Sequence, residues 1–166
     1  PERDILCFCG QDWWYHNRAH SDFQLMTRAA KHRKVLLVNS IGMRMPMPGR
    51  SPLPFRRIWR KLKSMLRHTR RPLENTPDFT VMTPVLFPFY GSEKARAFNA
   101  RSIRAQVERV ARKMGMEDPH IIVTVPTAWD VAKDMARSSL VYNRSDKHSA
   151  FGEADQGLIA GYERDC

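Results

Sequence analysis

Five apolar residues in a row, Ile5-Leu6-Cys7-Phe8-Cys9, end abruptly at Gly10. A run with no polar alternation has no face to give to water, so it describes a strand covered on both sides, as in a parallel sheet. Glycine has the conformational freedom to turn sharply where such a strand ends. The connection that follows is chemically dense, with Asp12, Trp13, Trp14, Tyr15, His16, Asn17, Arg18 and His20 packed into a short stretch. In open α/β sheets ligands bind beyond the carboxyl ends of the strands, and the loop after the first strand lines that crevice. Gly10 to His20, including Gln11, is therefore read as the floor of a binding site.

The next elements fit the same architecture. Ser21 or Asp22 can cap a helix carrying Phe23, Leu25, Met26 and Ala29-Ala30, and Val35 to Val38 is a second fully apolar strand closed by Asn39-Ser40. Strand, helix and strand in that order make a right-handed βαβ unit. Further on, Phe79-Thr80-Val81-Met82 and Val85-Leu86-Phe87 read as short extended pieces interrupted by Pro84 and Pro88. Ser92 caps the longest helix, from Glu93 to about Met114, with Ala95, Phe98, Ile103, Val107, Val110 and Met114 as its buried stripe and Gly115 as its stop. His120 to Val125 is another buried strand, ending at Pro126-Thr127-Ala128, and a short helix follows over Trp129 to Ala136. Leu140-Val141-Tyr142 is a strand leading into a third polar loop, Asn143-Arg144-Ser145-Asp146-Lys147-His148. The expected fold is α/β, a Rossmann-like, open and mostly parallel sheet with helices on both faces, in one domain over residues 1–166. A helix begins at Glu153, and no cap or breaker ends it before Cys166. The expectation is a boundary cut through a longer protein, with a further domain beyond.

Charge narrows the partners. With 28 Lys and Arg against 17 Asp and Glu the net charge is +11, which favours an anionic partner. Residues 41–72 read as an insertion in the domain. Its first part, to Pro54, breaks every periodic pattern with four prolines and three methionines. From Phe55 to Leu66, Phe55, Ile58, Trp59, Leu62, Met65 and Leu66 then make one apolar stripe opposite Arg56, Arg57, Arg60, Lys61 and Lys63. A basic amphipathic helix with Trp and Phe on its apolar side describes a segment lying in a membrane interface. The plain reading is a helix packed on the core with a solvated basic face. Nucleic acid is the weakest of the three, because the aromatics are not interleaved with the charges as stacking requires. No apolar run approaches the ~20 residues that span a bilayer.

The three cysteines, Cys7, Cys9 and Cys166, do not suggest a disulfide framework. Cys7 and Cys9 point to one face of one strand, which describes buried, reduced thiols and a cytoplasmic setting. Neither a glycine-rich dinucleotide fingerprint nor a P-loop is present. His16 and His20 stand four apart, but without the Glu of a His-Glu-x-x-His zinc motif. No metal is therefore expected. Trp13, Trp14 and Tyr15 have a structural alternative, as plugs for the sheet top, and Asp146 as a turn cap.

Taken together, Ile5 to His20, Lys34 to Asn39, Val123-Thr124-Val125-Pro126-Thr127-Ala128-Trp129-Asp130, and Leu140 to Asp146 with Phe151 to Asp155 resemble the N-terminal half of bacterial GT-B glycosyltransferases of cell-surface polysaccharide synthesis. The resemblance follows element order over nearly the whole chain, with motifs of moderate specificity. It implies an acceptor-binding domain, with the nucleotide-sugar donor gripped by a second Rossmann-like domain and no cofactor held by this chain. Carried over by position, Gly10 to Trp14 face the donor phosphates and the acceptor hydroxyl, while Pro126, Thr127, Asn143, Arg144 and Lys147 belong to the later cleft loops. Asn17 and Arg18 extend the first. The first loop here is poorer in glycine than in many members. An inverting enzyme needs a general base at the acceptor hydroxyl, for which His20, His16, Asp12 and Asp146 are the candidates; a retaining one would use them only to position substrate. The implied partners are a nucleotide-sugar and a saccharide or lipid-linked acceptor, at the inner membrane face. The alternatives are a basic nucleic-acid-binding module and a free-standing regulatory α/β domain.

Overall fold

The structure, a computed structural model, describes residues 3–15, 20–41, 69–85, 92–144 and 156–165. Among the described residues six strands form one sheet: β1 (Ile5–Phe8), β2 (Val35–Val38), β3 (Thr69–Arg70), β4 (Phe79–Met82), β5 (His120–Val123) and β6 (Ser139–Tyr142), in the order β3-β4-β2-β1-β5-β6. Every pairing is parallel except that of β3, an antiparallel edge piece on β4. The parallel strands alone run 3-2-1-4-5 in chain order, the doubly wound arrangement, with a topological switch between β1 and β5.

Helices lie on both faces. On one side α1 (Ser21–Ala29) buries Phe23 and Met26 against Cys7, Cys9, Val35, Leu37, Phe79 and Val81. On the other, α2 (Glu93–Lys113) buries Ile103, Val107, Val110 and Ala111 against Leu6, Phe8, Leu36, Val38, Met82, Ile121 and Val123. β1 and β2 are buried almost throughout, as their unbroken apolar runs require, and β4 is buried as well, with the polar Thr80 inside its run. A 3-10 turn (Pro126–Ala128) leads from β5 into the short α3 (Trp129–Ala132), and α4 (Gln156–Asp165) packs on that turn.

Several sequence expectations are corrected in detail. The helix-starting residue of α1 is Ser21, and His20 takes the N-cap position with no side-chain cap, so neither Ser21 nor Asp22 caps it. Leu25 is exposed. On α2, Phe98 is 57% exposed, while Asn99 is buried in its place. Phe98 lies five residues before Ile103, which puts it about 140° round the helix from the buried stripe. α3 stops at Ala132, short of Ala136, because the Arg137 guanidinium donates to the carbonyls of Ala132, Lys133 and Met135 and closes the turn. Thr69 and Arg70, inside the expected 41–72 insertion, are an edge strand of the sheet. The expected helix over Phe55 to Leu66 lies outside the described residues.

The end of α2 is set by Gly115 at φ 66, where Gly115 N donates to Arg112 O and Met116 N to Ala111 O, both at 3.0 Å. Gly115→Ala is expected to cost about 1–2 kcal/mol in urea denaturation, since an L residue is strained at that φ; an unchanged midpoint would contradict this. A second prediction concerns the free thiols Cys7 and Cys9. Burial pushes the Cys9 thiol from its ordinary 9.0 up to about 12, and burial likewise pushes Cys7 well up. The folded chain therefore keeps protons that the unfolded chain gives up above its own pKa. Stability should be full below pH 9.0 and fall as pH rises from there towards about 12, by about 1.4 kcal/mol per pH unit per thiol. Denaturation midpoints that stay flat above pH 9.0 would refute this.

Candidate functional site: the carboxyl rim of the sheet

The register brings the strand exits level. Phe8 stands beside Val38 and Val123, Val38 beside Met82, and Val123 beside Tyr142. The residues that follow therefore line up across one edge as Thr83, Asn39, Cys9, Thr124 and Asn143, and backbone bonds carry the ladder through to them. Cys9 N donates to Val38 O at 2.9 Å, Asn39 N to Met82 O at 2.8 Å, Thr124 N to Phe8 O at 3.0 Å and Asn143 N to Val123 O at 2.8 Å.

Side chains then stitch the first loop to this row. Thr124 Oγ1 accepts from Gly10 N at 3.0 Å and donates to Phe8 O at 3.3 Å, which fixes the exit of β1 across the switch point. Asn39, fully buried, accepts from Trp13 N at 2.9 Å and donates to Thr83 Oγ1 at 2.8 Å and to Asp12 Oδ1 at 3.4 Å. Asp12 Oδ1 also accepts from Trp14 N at 3.0 Å, and Asp12 O accepts from Tyr15 N, so Asp12 folds a tight turn on its own carboxylate. Asn39, Thr83 and Thr124 are not candidate site residues in the sequence, where Asn39 is read only as the end of its strand, although each is a small polar residue placed at the end of an apolar run.

The candidate residues divide accordingly. Gly10, Gln11 and Asp12 sit at the switch point, Asp12 with little exposure. Trp13 is core: it is 2% exposed and stacks edge-on against Phe23 and at a tilt against Phe79, both at 5.0 Å. Trp14 is half-buried and Tyr15 exposed at the loop's outer side. His20 is exposed at the start of α1, its ring 6.0 Å from that of Phe23. Pro126 is buried and Thr127 half-buried in the turn after β5; the Thr127 hydroxyl oxygen is buried with no hydrogen-bond partner among the described residues. Asn143 is exposed at the end of β6, and Arg144 reaches Glu163 of α4 at 3.6 Å. His16, Asn17, Arg18, Asp146 and Lys147 lie outside the described residues, as do Phe55, Arg56, Arg57, Trp59, Arg60, Lys61 and Lys63.

Two helices frame the row. α4 is held over the β5 exit by buried Ile159 and by Tyr162, whose hydroxyl donates to Asp130 while Lys133 donates to the other oxygen of the same carboxylate. Burial, then the Asp130 contact, push the Tyr162 hydroxyl pKa up. α2 ends level with the amino side of the sheet, where Lys34 Nζ donates to Gly115 O. A helix of 21 residues is about 31 Å long and a strand of four about 13 Å. The first turns of α2 therefore stand above the carboxyl rim.

Gly10 is not in the left-handed region, and a Cβ there would meet Val125 and Thr124 only at 3.7–3.8 Å, ordinary contact distances. The turn that the sequence suggested for it is made by Asp12 instead. Among the described residues no group of three metal-ligating side chains occurs, and no helix is long and apolar enough to cross a membrane. Comparisons of the chain with protein-family models, with curated proteins and with solved structures give no match. The described residues define an α/β domain on a six-stranded, mostly parallel sheet, with a polar row at its carboxyl edge.

Trp13→Ala is expected to destabilise the fold by about 3–5 kcal/mol, whereas Gly10→Ala should stay within about 1 kcal/mol of the parent, both by chemical denaturation. Parental stability for Trp13→Ala would move that residue from the core back to the binding surface.

Proposed function

We propose that the chain is the acceptor-binding domain of a GT-B-type glycosyltransferase. In this reading a sugar passes from a nucleotide-sugar, held by a separate donor domain, to a saccharide or lipid-linked acceptor seated on the carboxyl rim. The observation that carries the proposal is the convergence of the polar exits of β1, β2, β4, β5 and β6 at a switch point, where open α/β sheets take their ligands. Buried polar atoms are normally satisfied, so the Thr127 hydroxyl supports a ligand or a further segment at the end of β5.

The described side chains have graded roles in this proposal. Asp12, engaged through Oδ1 by Trp14 N and Asn39, shapes the loop. His20, exposed at the mouth, is the described group best placed to meet an incoming acceptor hydroxyl as a base. Asn143 and Gln11 supply hydrogen bonds to sugar hydroxyls. Peripheral contact of the Phe55 to Arg71 segment with the inner membrane face belongs to the same proposal, because a lipid-linked acceptor would be met there.

Amide-resolved NMR titration of the chain with a short-chain polyprenyl-diphosphate saccharide tests this. Shifts should cluster at Gly10 to Tyr15, Thr124 to Thr127 and Asn143, and the chain alone should transfer no sugar from any nucleotide-sugar. Shifts absent from the rim would overturn the acceptor reading, and transfer by the chain alone would overturn the separate donor domain.

A further inference from the structure

The outward face of α2 carries a straight row of exposed side chains, most of them cationic. Lys94, Phe98, Arg101, Ala105, Arg109 and Arg112 are all exposed, and the period of 3.6 residues keeps them within a narrow band of the helix surface. From Lys94 to Arg112 the row spans about 27 Å. Other arginines of the helix are committed elsewhere: Arg104 pairs with Asp134 at 2.7 Å, and Arg96 lies against Tyr162. Of the acids on α2, Glu93 is in its first turn and Glu108 is half-buried on the flank of the row. Phe98, 57% exposed, sits on the turns that stand above the rim.

We infer that this face of α2 lies flat on an anionic lipid surface, with the guanidinium groups at the headgroups and Phe98 dipping into the interface. The inference does not rest on the transferase reading, nor on the Phe55 to Arg71 segment. Charge complementarity selects an anionic partner, and shape selects a plane. A straight, convex row meets a flat surface along its whole length, whereas single-stranded nucleic acid is held in a basic groove with successive aromatic platforms, and this row offers one ring. The apolar stripe of α2 is spent on the sheet, so contact is shallow and electrostatic, and each cation near such a surface contributes about fivefold to binding.

The test uses the whole chain in co-sedimentation with phosphatidylcholine vesicles, with and without phosphatidylglycerol, and filter binding to a single-stranded RNA. The triple variant Arg101→Gln, Arg109→Gln, Arg112→Gln should lose at least about tenfold in affinity for the anionic vesicles. Phe98→Ala should lose about threefold or more, and neither protein should bind neutral vesicles appreciably. Circular dichroism and melting of both variants show that the fold is kept; because all four side chains are exposed, both should melt as the parent does. Parental affinity of the triple variant for anionic vesicles would overturn the inference. So would a loss confined to RNA binding.

Discussion

The central constraint is the double coverage of β1. Its alternate side chains go to opposite faces, Leu6 and Phe8 to the layer under α2, Cys7 and Cys9 to the layer under α1, and all four are essentially fully buried. It also pairs on both edges, with β2 and β5. Burying a side chain of the size of Leu6 or Phe8 contributes about 1.5–3 kcal/mol, so the strand has one stable place, in the middle. From that place the chain must leave at the switch point. The position of the first loop is thus a consequence of hydrophobicity in the strand that precedes it.

The rim then owes its shape to a few short polar side chains. Asn39 takes the Trp13 amide, the Asp12 carboxylate and the Thr83 hydroxyl, and Thr124 takes the Gly10 amide. These bonds lie in a poorly solvated place, where an unmade one costs more than a made one returns. Trp13 is driven into the gap between Phe23 and Phe79, which anchors the same loop from its apolar side. The loop backbone is thus held at Gly10, Trp13 and Trp14, and backbone fixed by such bonds is the condition under which a site on a connection can be specific.

The central strands were legible because their chemistry is local: an apolar run of four or five residues with a turn residue after it reads as a buried parallel strand, and β1 and β2 are such runs, while β5 shows a shorter one, Ile121 to Val123. The antiparallel pair at the far edge was not, since Thr69 and Arg70 are exposed and strand-like only through β4. The candidate site was legible as a place and less so as a list. Dense aromatic composition marked Trp13 as a ligand contact, with a plug for the sheet top as the alternative; the structure takes the second, and part of the space it fills is made by Phe79, many residues away in sequence. Asn39 and Thr124 carry no motif; their importance comes from the parallel register that sets them beside the β1 exit. Phe98 was drawn into the buried stripe of α2 by its hydrophobicity, although the helical period sets it on the other side.

Hydrogen exchange of individual backbone amides addresses the stitched rim most directly. With β1 central and its exit held by Thr124 and Asn39, the amides of Gly10 and Trp13 should exchange almost as slowly as those of Leu6 and Cys7. In Asn39→Ala the Trp13 amide should lose its protection while Gly10 keeps its own. Exchange of Gly10 and Trp13 at the rate of an unstructured loop, with β1 still protected, would contradict a preformed floor at the carboxyl edge.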